Sequence, residues 1–422
     1  IITEENFMKD YSNIVSYLKL RGSVGKTGSQ NLGAYDWRTL MGSATYNGAA
    51  GIVPSSLGND ILQWEEQIQK EVGLDYGFWD DRIRGTLGYY QKKVDNLLYS
   101  DPVPTSSSFS SVYQNIGSLK NRGIEFDVRV DIIKNAQKDL TWNVDFNIAR
   151  NRTTLEKLNS SDGYFGGGAY DYFKIEEGGE TGRFYGYKDA GRLFMTNEEL
   201  VGLKTIDPKT GTLKYYRDDY NYERQGDVYI MDLDGDGQIT ADGDRTVIGN
   251  ANPDFFGGFG STLYWKGLML NAVFSYSVGG DRFWDEEKNS SGDMNVYNTS
   301  NRILDSWTVN PGVNASYPRA MYYGWGSNSI ITDRYIHDAS YLRMTALNLS
   351  YRLPKHLYKN SILNAVEFTF QATNLFTWTK YPGMDPQGNF STTYSAFYNM
   401  GIDYSTYPSA RTYNFGIKLT LK

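Results

Sequence analysis

The chain has 422 residues, a net charge of −7 and no cysteine. The absence of cysteine excludes disulfides, thiolate metal sites and cysteine nucleophiles, and an acidic balance without a basic block argues against nucleic-acid binding. With only His337 and His356 present, histidine-rich zinc sites and histidine-based acid–base catalysis are disfavoured. Mean hydropathy is −0.53 and no apolar run approaches the ~18 residues of a membrane helix, yet alternating membrane β-strands remain compatible with it.

Alternation of apolar and polar residues with a period of two predicts eleven β-strands. In 140–149, for example, Trp142 and Phe146 lie on one face and Asn143 and Asp145 on the other. The apolar faces suit lipid and the charged faces suit a water-filled lumen, so we expect an all-β transmembrane antiparallel barrel. The predicted strands lie near 15–25, 34–46, 68–79, 82–93, 123–132, 140–149, 259–266, 268–278, 341–352, 363–373 and 413–421; those at 34–46 and 259–266 are the weaker ones.

The connections between these strands alternate between short and long. Short turns are expected at Asp80-Asp81, 133–139, Lys266-Gly267 and 353–362, and long connections at 47–67, 94–120, 151–258, 279–340 and 374–410. This is the pattern of outer-membrane barrels, which have short periplasmic turns and long extracellular loops. The last strand is expected to descend into the periplasm, so the first of eleven strands would descend as well. A complete single-chain barrel normally has an even number of strands. The sequence therefore predicts that an N-terminal part of the barrel lies outside this chain.

The most specific chemical motif lies inside the long extracellular loop region 151–258, at 232–244. Asp232, Asp234 and Asp236 take positions 1, 3 and 5 of an EF-hand-type calcium loop, with Gly237 at the sharp turn and the Gln238 carbonyl next. Position 12 is Gly243, flanked by Asp242 and Asp244. No pair of flanking helices is visible, so we expect a structural Ca²⁺ site on a surface loop; the alternative is an empty polar turn.

Aromatic residues fall into two groups. Those at strand ends are expected to form the girdles that flank the lipid-facing band, namely Trp79, Tyr89, Tyr90, Trp142, Tyr264 and Trp265. Those in loops are candidates for contact with a ligand or a partner, namely Tyr170, Tyr172, Tyr322, Tyr323 and Trp325. The carboxylate pairs Asp80-Asp81 and Glu286-Glu287 are interpreted as solvated charge rather than glycosidase acids, and no catalytic motif is found, so an enzyme is not expected.

Several longer runs resemble SusC/RagA-type TonB-dependent outer-membrane transporters. They occur in the same order as in that family, from about Tyr11 to the C-terminus, and are Tyr17-Leu-Lys-Leu-Arg-Gly-Ser-Val-Gly-Lys-Thr-Gly-Ser-Gln30, Gln114-Asn-Ile-Gly-Ser-Leu-Lys-Asn-Arg-Gly-Ile-Glu-Phe126, Phe184-Tyr-Gly-Tyr187, Asp244-Arg-Thr-Val-Ile-Gly-Asn-Ala-Asn-Pro-Asp-Phe-Phe-Gly-Gly-Phe259 and Tyr407-Pro-Ser-Ala-Arg-Thr412. The resemblance implies a 22-stranded barrel, of which this chain would supply about the last 11 strands. It also favours Asp244 as the residue that closes the calcium loop.

The same resemblance implies a function and a set of partners. The expected activity is TonB-dependent import of oligosaccharides or peptides across the bacterial outer membrane, with a SusD-like surface lipoprotein over the outer loops. TonB would act through a plug and a TonB box that have no counterpart in this chain. The alternative is a SusC-like barrel that serves as a structural or assembly subunit of a larger outer-membrane complex. A third possibility, a soluble β-rich carbohydrate-binding or hydrolytic protein, predicts solubility without detergent.

Overall fold

The computed structural model describes residues 1–29, 33–159, 164–166, 172–196, 199, 204–206, 213–215, 225–292, 298–320, 328, 330–359, 362–388, 400–404 and 406–422. Strands dominate them. In chain order they are β1 Val15–Ser29, β2 Met41–Tyr46, β3 Ala49–Pro54, β4 Glu65–Phe78, β5 Ile83–Pro102, β6 Ser111–Asn135, β7 Leu140–Leu158, β8 Tyr164–Gly166, β9 Lys174–Glu176, β10 Arg183–Tyr187, β11 Asp189–Leu193, β12 Lys204–Ile206, β13 Leu213–Tyr215, β14 Val228–Ile230, β15 Arg245–Asn250, β16 Phe255–Trp265, β17 Leu268–Val278, β18 Asp281–Trp284, β19 Ile336–Asp338, β20 Tyr341–Arg352, β21 Leu363–Thr379, β22 Ile402–Asp403 and β23 Thr412–Leu421.

Helices are few and short. The two α-helical turns are α1, Ala241–Asp244, and α2, Asp285–Glu287, and the latter continues into a π-helical turn, Lys288–Gly292. Short 3₁₀ turns occupy Ile2–Glu4, Asn6–Tyr11, Thr105–Ser107, Ala136–Lys138, Asn301–Asp305, Asp333–Tyr335 and Lys355–Tyr358. Within the described ranges, no helix has the length and apolar content needed to cross a bilayer.

Ten strands form one antiparallel sheet in the order β1-β4-β5-β6-β7-β16-β17-β20-β21-β23. The predicted strand at 34–46 is not among them, so the count of eleven is wrong. Met41–Tyr46 instead pairs with Ala49–Pro54 in a separate hairpin. Its turn residues Asn47 and Gly48 both have positive φ, at 48° and 78°, and such Asn-Gly turns favour tight hairpins.

This correction removes the basis of the strand-parity argument. With ten strands, β1 runs in the same direction as β5, β7, β17 and β21, toward the edge of the sheet that carries the long connections. The first strand therefore runs toward that edge, whereas the sequence predicts a strand that descends from it. The long connection expected at 94–120 is also shorter than predicted, because β5 reaches Pro102 and β6 starts at Ser111.

The two faces of the sheet differ as the alternation predicts. Val128, Phe146, Phe259 and Phe274 form one cross-strand row on the apolar face. Asn147, Gly258 and Ser275 are successive partners in a row on the opposite, polar face. The rings of Phe259 and Phe274 stack with centroids 4.6 Å apart, which stabilises neighbouring strands through side-chain contact.

The pairing register also shows on which face of the sheet the predicted girdle aromatics lie. Trp142 and Trp265 lie on the apolar face near the short turns, opposite Leu263 and Leu268, and Tyr89 lies on the same face opposite Ile124. Tyr90 and Tyr264 lie on the polar face, opposite Gly123 and Thr141 respectively. The girdle prediction is wrong for these two tyrosines, because consecutive residues of a strand point to opposite faces.

The largest hydrophobic core lies beyond the sheet, in the long connections. These connections, 159–254, 279–340 and 380–411, follow β7, β17 and β21 and therefore meet at one edge of the sheet; we call their described residues the cap. The cap core consists of Phe173, Phe184, Ala251, Phe283, Ile331, Tyr335 and Ile402. It is backed by a small sheet in which β18 pairs with β19 antiparallel and with β22 parallel.

Candidate functional site

The acidic loop between β14 and β15 is wound around its own carboxylates. Asp232 accepts hydrogen bonds from the backbone N–H groups of Gly235 and Gly237, at 2.7 and 2.8 Å. Both glycines have positive φ, at 75° and 79°, a region that glycine enters without steric cost. The glycine positions of the motif are thus required by the path of the backbone.

A single helical turn returns the chain to the start of this loop. The Thr240 hydroxyl caps α1 by accepting from the Gly243 N–H at 2.9 Å, as N-cap residues do. The turn brings the fully buried Asp244 beside Leu233, whose N–H donates to its carboxylate at 2.8 Å. Carboxylate oxygens of Asp232, Asp234 and Asp244 then lie within 4.8 Å of one another.

The electrostatics of this group favour a cation. Burial raises the pKa of the Asp244 carboxyl, hydrogen bonds from Thr240 and Leu233 lower it, and the charges of Asp232 and Asp234 raise it again. The net direction is upward, so the ionised form of Asp244 is disfavoured. A divalent ion placed among the three carboxylates would remove that repulsion.

The predicted ligand set is only partly brought together. Asp234 is in the group, but Asp236 is not, and its carboxylate accepts the Gln238 N–H at 2.7 Å. Asp242 is also outside the group, so Asp244 is the third member, as the family resemblance implied. Three carboxylates supply oxygen donors that fit Ca²⁺, which takes 6–8 oxygens in all.

The acidic loop is fixed to the cap through the residue that follows it. Arg245, at the start of β15, donates to the Tyr185 carbonyl at 3.0 Å. Its guanidinium also lies over the Tyr185 ring, 4.7 Å from the centroid. Because β15 pairs with β10, which carries the core residue Phe184, the end of the acidic loop is joined to the packed part of the cap.

One of the predicted aromatic contact residues can be placed. The Tyr172 hydroxyl donates to Asp285 at 2.8 Å, and its ring meets Phe283 edge-on with centroids 4.8 Å apart. Burial, followed by the Asp285 carboxylate, raises the pKa of this hydroxyl. Tyr172 therefore packs against the cap core. Tyr170, Tyr322, Tyr323 and Trp325 lie outside the described residues.

Sequence reasoning does not identify the charged residues that form buried ion pairs. Glu287 was interpreted as solvated charge, but it is buried and lies 2.5 Å from His337 Nε2 and 2.9 Å from Arg302 Nη1. The interpretation of Glu287 as solvated is wrong because its burial depends on tertiary packing, and no local sequence pattern shows which carboxylate meets a cation. The sequence gives one weak signal, since Glu287 follows Trp284 by three residues, and Arg302 lies over the Trp284 ring.

Another ion pair joins two connections of the cap, and a second one joins the cap to the large sheet. Asp227 in the first connection pairs with Arg319 in the second at 2.7 Å, and Arg343 of β20 pairs with Asp385 in the third at 2.6 Å. The N–H groups of Gln387 and Ser409 also donate to Asp385. Burial alone would raise the pKa of Asp385, but Arg343 and these two donors outweigh it, and the pKa is lowered.

Below the cap, the polar face of the sheet carries paired charges of both signs. Arg21 bonds Asp75 at 2.8 Å and Glu71 at 3.1 Å on the neighbouring strand. These side chains remain partly exposed, so the pairs keep the polar face hydrated and contribute little stability each. A face of this kind suits the water-filled side of a barrel wall.

The fold and the two faces define an outer-membrane β-barrel wall, and sequence comparison supports that class. The family model described as "TonB dependent receptor-like, beta-barrel" matches residues 11–375. The chain belongs to this family, and it is of the SusC/RagA type. Its relatives are named as receptors and transporters, not as enzymes. The protein is an outer-membrane protein, and the exposed apolar face of its sheet suits contact with lipid.

Three relatives show the extent of the match. TonB-dependent receptor P3 of Formosa agariphila is 32% identical over 440 residues, covering 99% of this chain and 40% of that protein. The receptor SusC of Bacteroides thetaiotaomicron is 30% identical over 434 residues, covering 99% and 39%. The structure of the RagAB peptide transporter superposes with a TM-score of 0.74 at 25% identity, covering 99% of this chain and 42% of that one. The chain thus spans about two fifths of the length of these relatives.

Proposed function

We propose that this chain forms part of the wall and the outer cap of an importer that moves oligosaccharides or peptides across the outer membrane with energy from TonB. The observation that carries the proposal is the cap, in which three connections share one core at one edge of the sheet. Such a cap can hold a polymer fragment at the mouth of a hydrated passage. The named activities of similar proteins, including peptide transport by RagAB, support this substrate range.

We infer the orientation and the partners from the same arrangement. Short turns face the periplasm in outer-membrane barrels, so the cap faces the exterior, where a SusD-like lipoprotein would close over it. The sheet is open, with β1 and β23 at its two edges. The rest of the protein would supply the strands that close the barrel, the plug and the segment that binds TonB.

The test of import uses the full-length protein in its own cells. Deletion of the gene is expected to abolish growth on either a defined peptide pool or a defined oligosaccharide pool as sole nutrient, and loss of TonB should give the same defect. Growth unchanged on both pools, with loss of a multi-subunit complex from the membrane, would instead support the structural role.

For the acidic loop we propose a structural Ca²⁺ bound by Asp232, Asp234 and Asp244. The ion would hold the turn that aligns Arg245 with Tyr185. Adding Ca²⁺ to chelator-treated full-length protein should raise the melting temperature of the cap, and D232N together with D234N should abolish the rise. D236N is the matched control, because Asp236 lies outside the carboxylate group. A melting temperature that ignores both chelator and Ca²⁺ would show that no ion is bound.

A further inference from the structure

The lipid-facing side of the sheet ends in a cluster of cations on strands β4 to β7. Lys70, Gln91, Arg122 and Arg152 are successive cross-strand partners in a single row. The next row toward the short turns carries Val72, Tyr89, Ile124 and Arg150 in the same order. We call Lys70, Arg122, Arg150 and Arg152 the basic patch; all four lie on the face that also carries the apolar band.

The height of the patch matches the border of the bilayer. Below Arg122, strand β6 presents Ile124, Phe126, Val128 and Val130 on the same face. After a register shift between Asp131 and Ile133, the apolar row continues with Ile133, which pairs with Trp142. The apolar stretch thus covers residues 124–133, and a tilted membrane strand needs about 9–11 residues. With the cap on the exterior, Arg122 lies where the hydrocarbon of the outer leaflet gives way to its headgroups.

The three arginines of the patch line a groove rather than a flat surface. Between β5, β6 and β7 the outer wall has a depression of about 320 Å³, lined by Tyr89, Ile124, Arg122, Arg150, Arg152 and Glu180. Ile124 and Tyr89 are exposed and supply an apolar part that continues into the lipid-facing band. The guanidinium groups supply the opposite part, so the groove is amphipathic along the membrane normal.

The positive charge in this groove is only partly balanced by carboxylates of the protein. Arg122 and Arg152 are direct cross-strand partners, and like charges in that position repel. Arg152 is compensated, since it donates to Asp254 at 3.1 Å and to the Pro253 carbonyl at 2.6 Å and lies 3.8 Å from Glu180. Throughout the described ranges, the side chains of Lys70, Arg122 and Arg150 make neither an ion pair nor a hydrogen bond.

Cations one row further from the membrane show that pairing is otherwise the rule on this face. Lys26 bonds Glu66 at 2.8 Å, Lys93 bonds Asp95 at 2.9 Å and Lys120 bonds Glu156 at 3.0 Å. The unpaired cations are thus restricted to the level of the headgroups. At the same end of the other strands, the outward positions are apolar, as at Val278, Leu342 and Trp378.

We propose that the basic patch binds the phosphate groups of a phosphorylated lipid in the outer leaflet. Guanidinium groups bind phosphate through paired, charge-assisted hydrogen bonds. Arg122 and Arg150 would hold the phosphate, while acyl chains would lie along Ile124 and Tyr89. A soluble anion would make no use of the apolar part of the groove. The continuity of the groove with the lipid-facing band therefore favours a lipid.

The test measures lipid retained by the full-length protein. Protein extracted in detergent would be stripped of lipid and then titrated with bisphosphorylated lipid A, and the bound lipid counted by native mass spectrometry. R122Q together with R150Q should weaken binding about a hundredfold, since each of the two lost charge-assisted hydrogen bonds is worth roughly a factor of ten. R129Q is the matched control, because Arg129 lies on the same strand but faces the lumen.

Three outcomes would overturn the proposal. They are equal lipid binding by wild-type protein and the double variant, equal binding of dephosphorylated lipid A, and displacement of the lipid by inorganic phosphate at the same molar concentration. The last result would indicate a site for free anions. Both arginines are exposed, so the double variant should fold. If its yield falls, R150Q alone provides the measurement, with a smaller expected loss of affinity.

Discussion

The sheet and the cap of this molecule reach stability by different means. On the sheet, large apolar residues such as Phe415 and Ile417 stay exposed on one face, because lipid takes the place of a second protein layer. In the cap, Phe173, Phe184 and Phe283 are fully buried and charged side chains are paired inside. Substitutions should therefore act on the sheet through the bilayer and on the cap through packing.

The largest expected effect is loss of the cap core. Phe283 is fully buried and its ring neighbours Tyr172, Phe184 and Tyr335. F283A should cost about 3–5 kcal/mol of cap stability, because a cavity remains where the ring was. Limited proteolysis of the full-length protein should show the cap cleaved while the barrel strands stay protected. Simultaneous loss of both would mean that the sheet and cap are one cooperative unit.

The buried pair between Arg343 and Asp385 should rank next. R343M removes one partner and leaves the Asp385 carboxylate buried without its cation, at a cost of about 3–5 kcal/mol, and less where water can enter. Thermal unfolding of the variant should be compared with that of R343M together with D385L. If the double variant is no more stable than the single one, the penalty does not come from an unpaired charge.

On the sheet, the face of a residue should decide the cost of a charge. V128R places a cation in the apolar band and should destabilise by about 2–4 kcal/mol, as for lipid-facing midplane positions of barrels. N147R, on the polar face of the neighbouring strand, should be close to neutral. Urea unfolding in lipid vesicles would measure both. Equal costs would contradict the assignment of the two faces.

The smallest expected effect is the pH response of the acidic loop. The pKa of Asp244 is raised above its ordinary value of 3.8 in the folded protein, so the folded state binds more protons than the unfolded one as pH falls toward that value. Without Ca²⁺, acidification below neutral pH should therefore stabilise the loop, and the gain should be lost again as pH rises through the raised pKa. Saturating Ca²⁺ should remove the pH response, and D244N should lack it.

Periodicity in the sequence was enough to predict most of the sheet and little of the cap. A strand such as 140–149 can be predicted locally, because one face meets lipid and the other meets water. Apolar and polar residues therefore alternate along it. The error at 34–46 arose since a hairpin in a loop alternates too. The burial of Glu287 depends on His337 and Arg302, which are distant in sequence, so no local pattern could predict it. The grouping of Asp232, Asp234 and Asp244 was the exception, because these carboxylates and the glycines between them are close in sequence.

The parallel pairing of β18 with β22 sets an order of events during biogenesis. Phe283 and Ile402 are partners in this pair, although β20 and β21 are synthesised between them. The cap core therefore stays incomplete until Ile402 has emerged, and contacts so distant in sequence form slowly. Phe173 and Phe184 are synthesised well before Ile402 and would wait longest for their partners. The first long connection is therefore where periplasmic chaperones would be needed for longest.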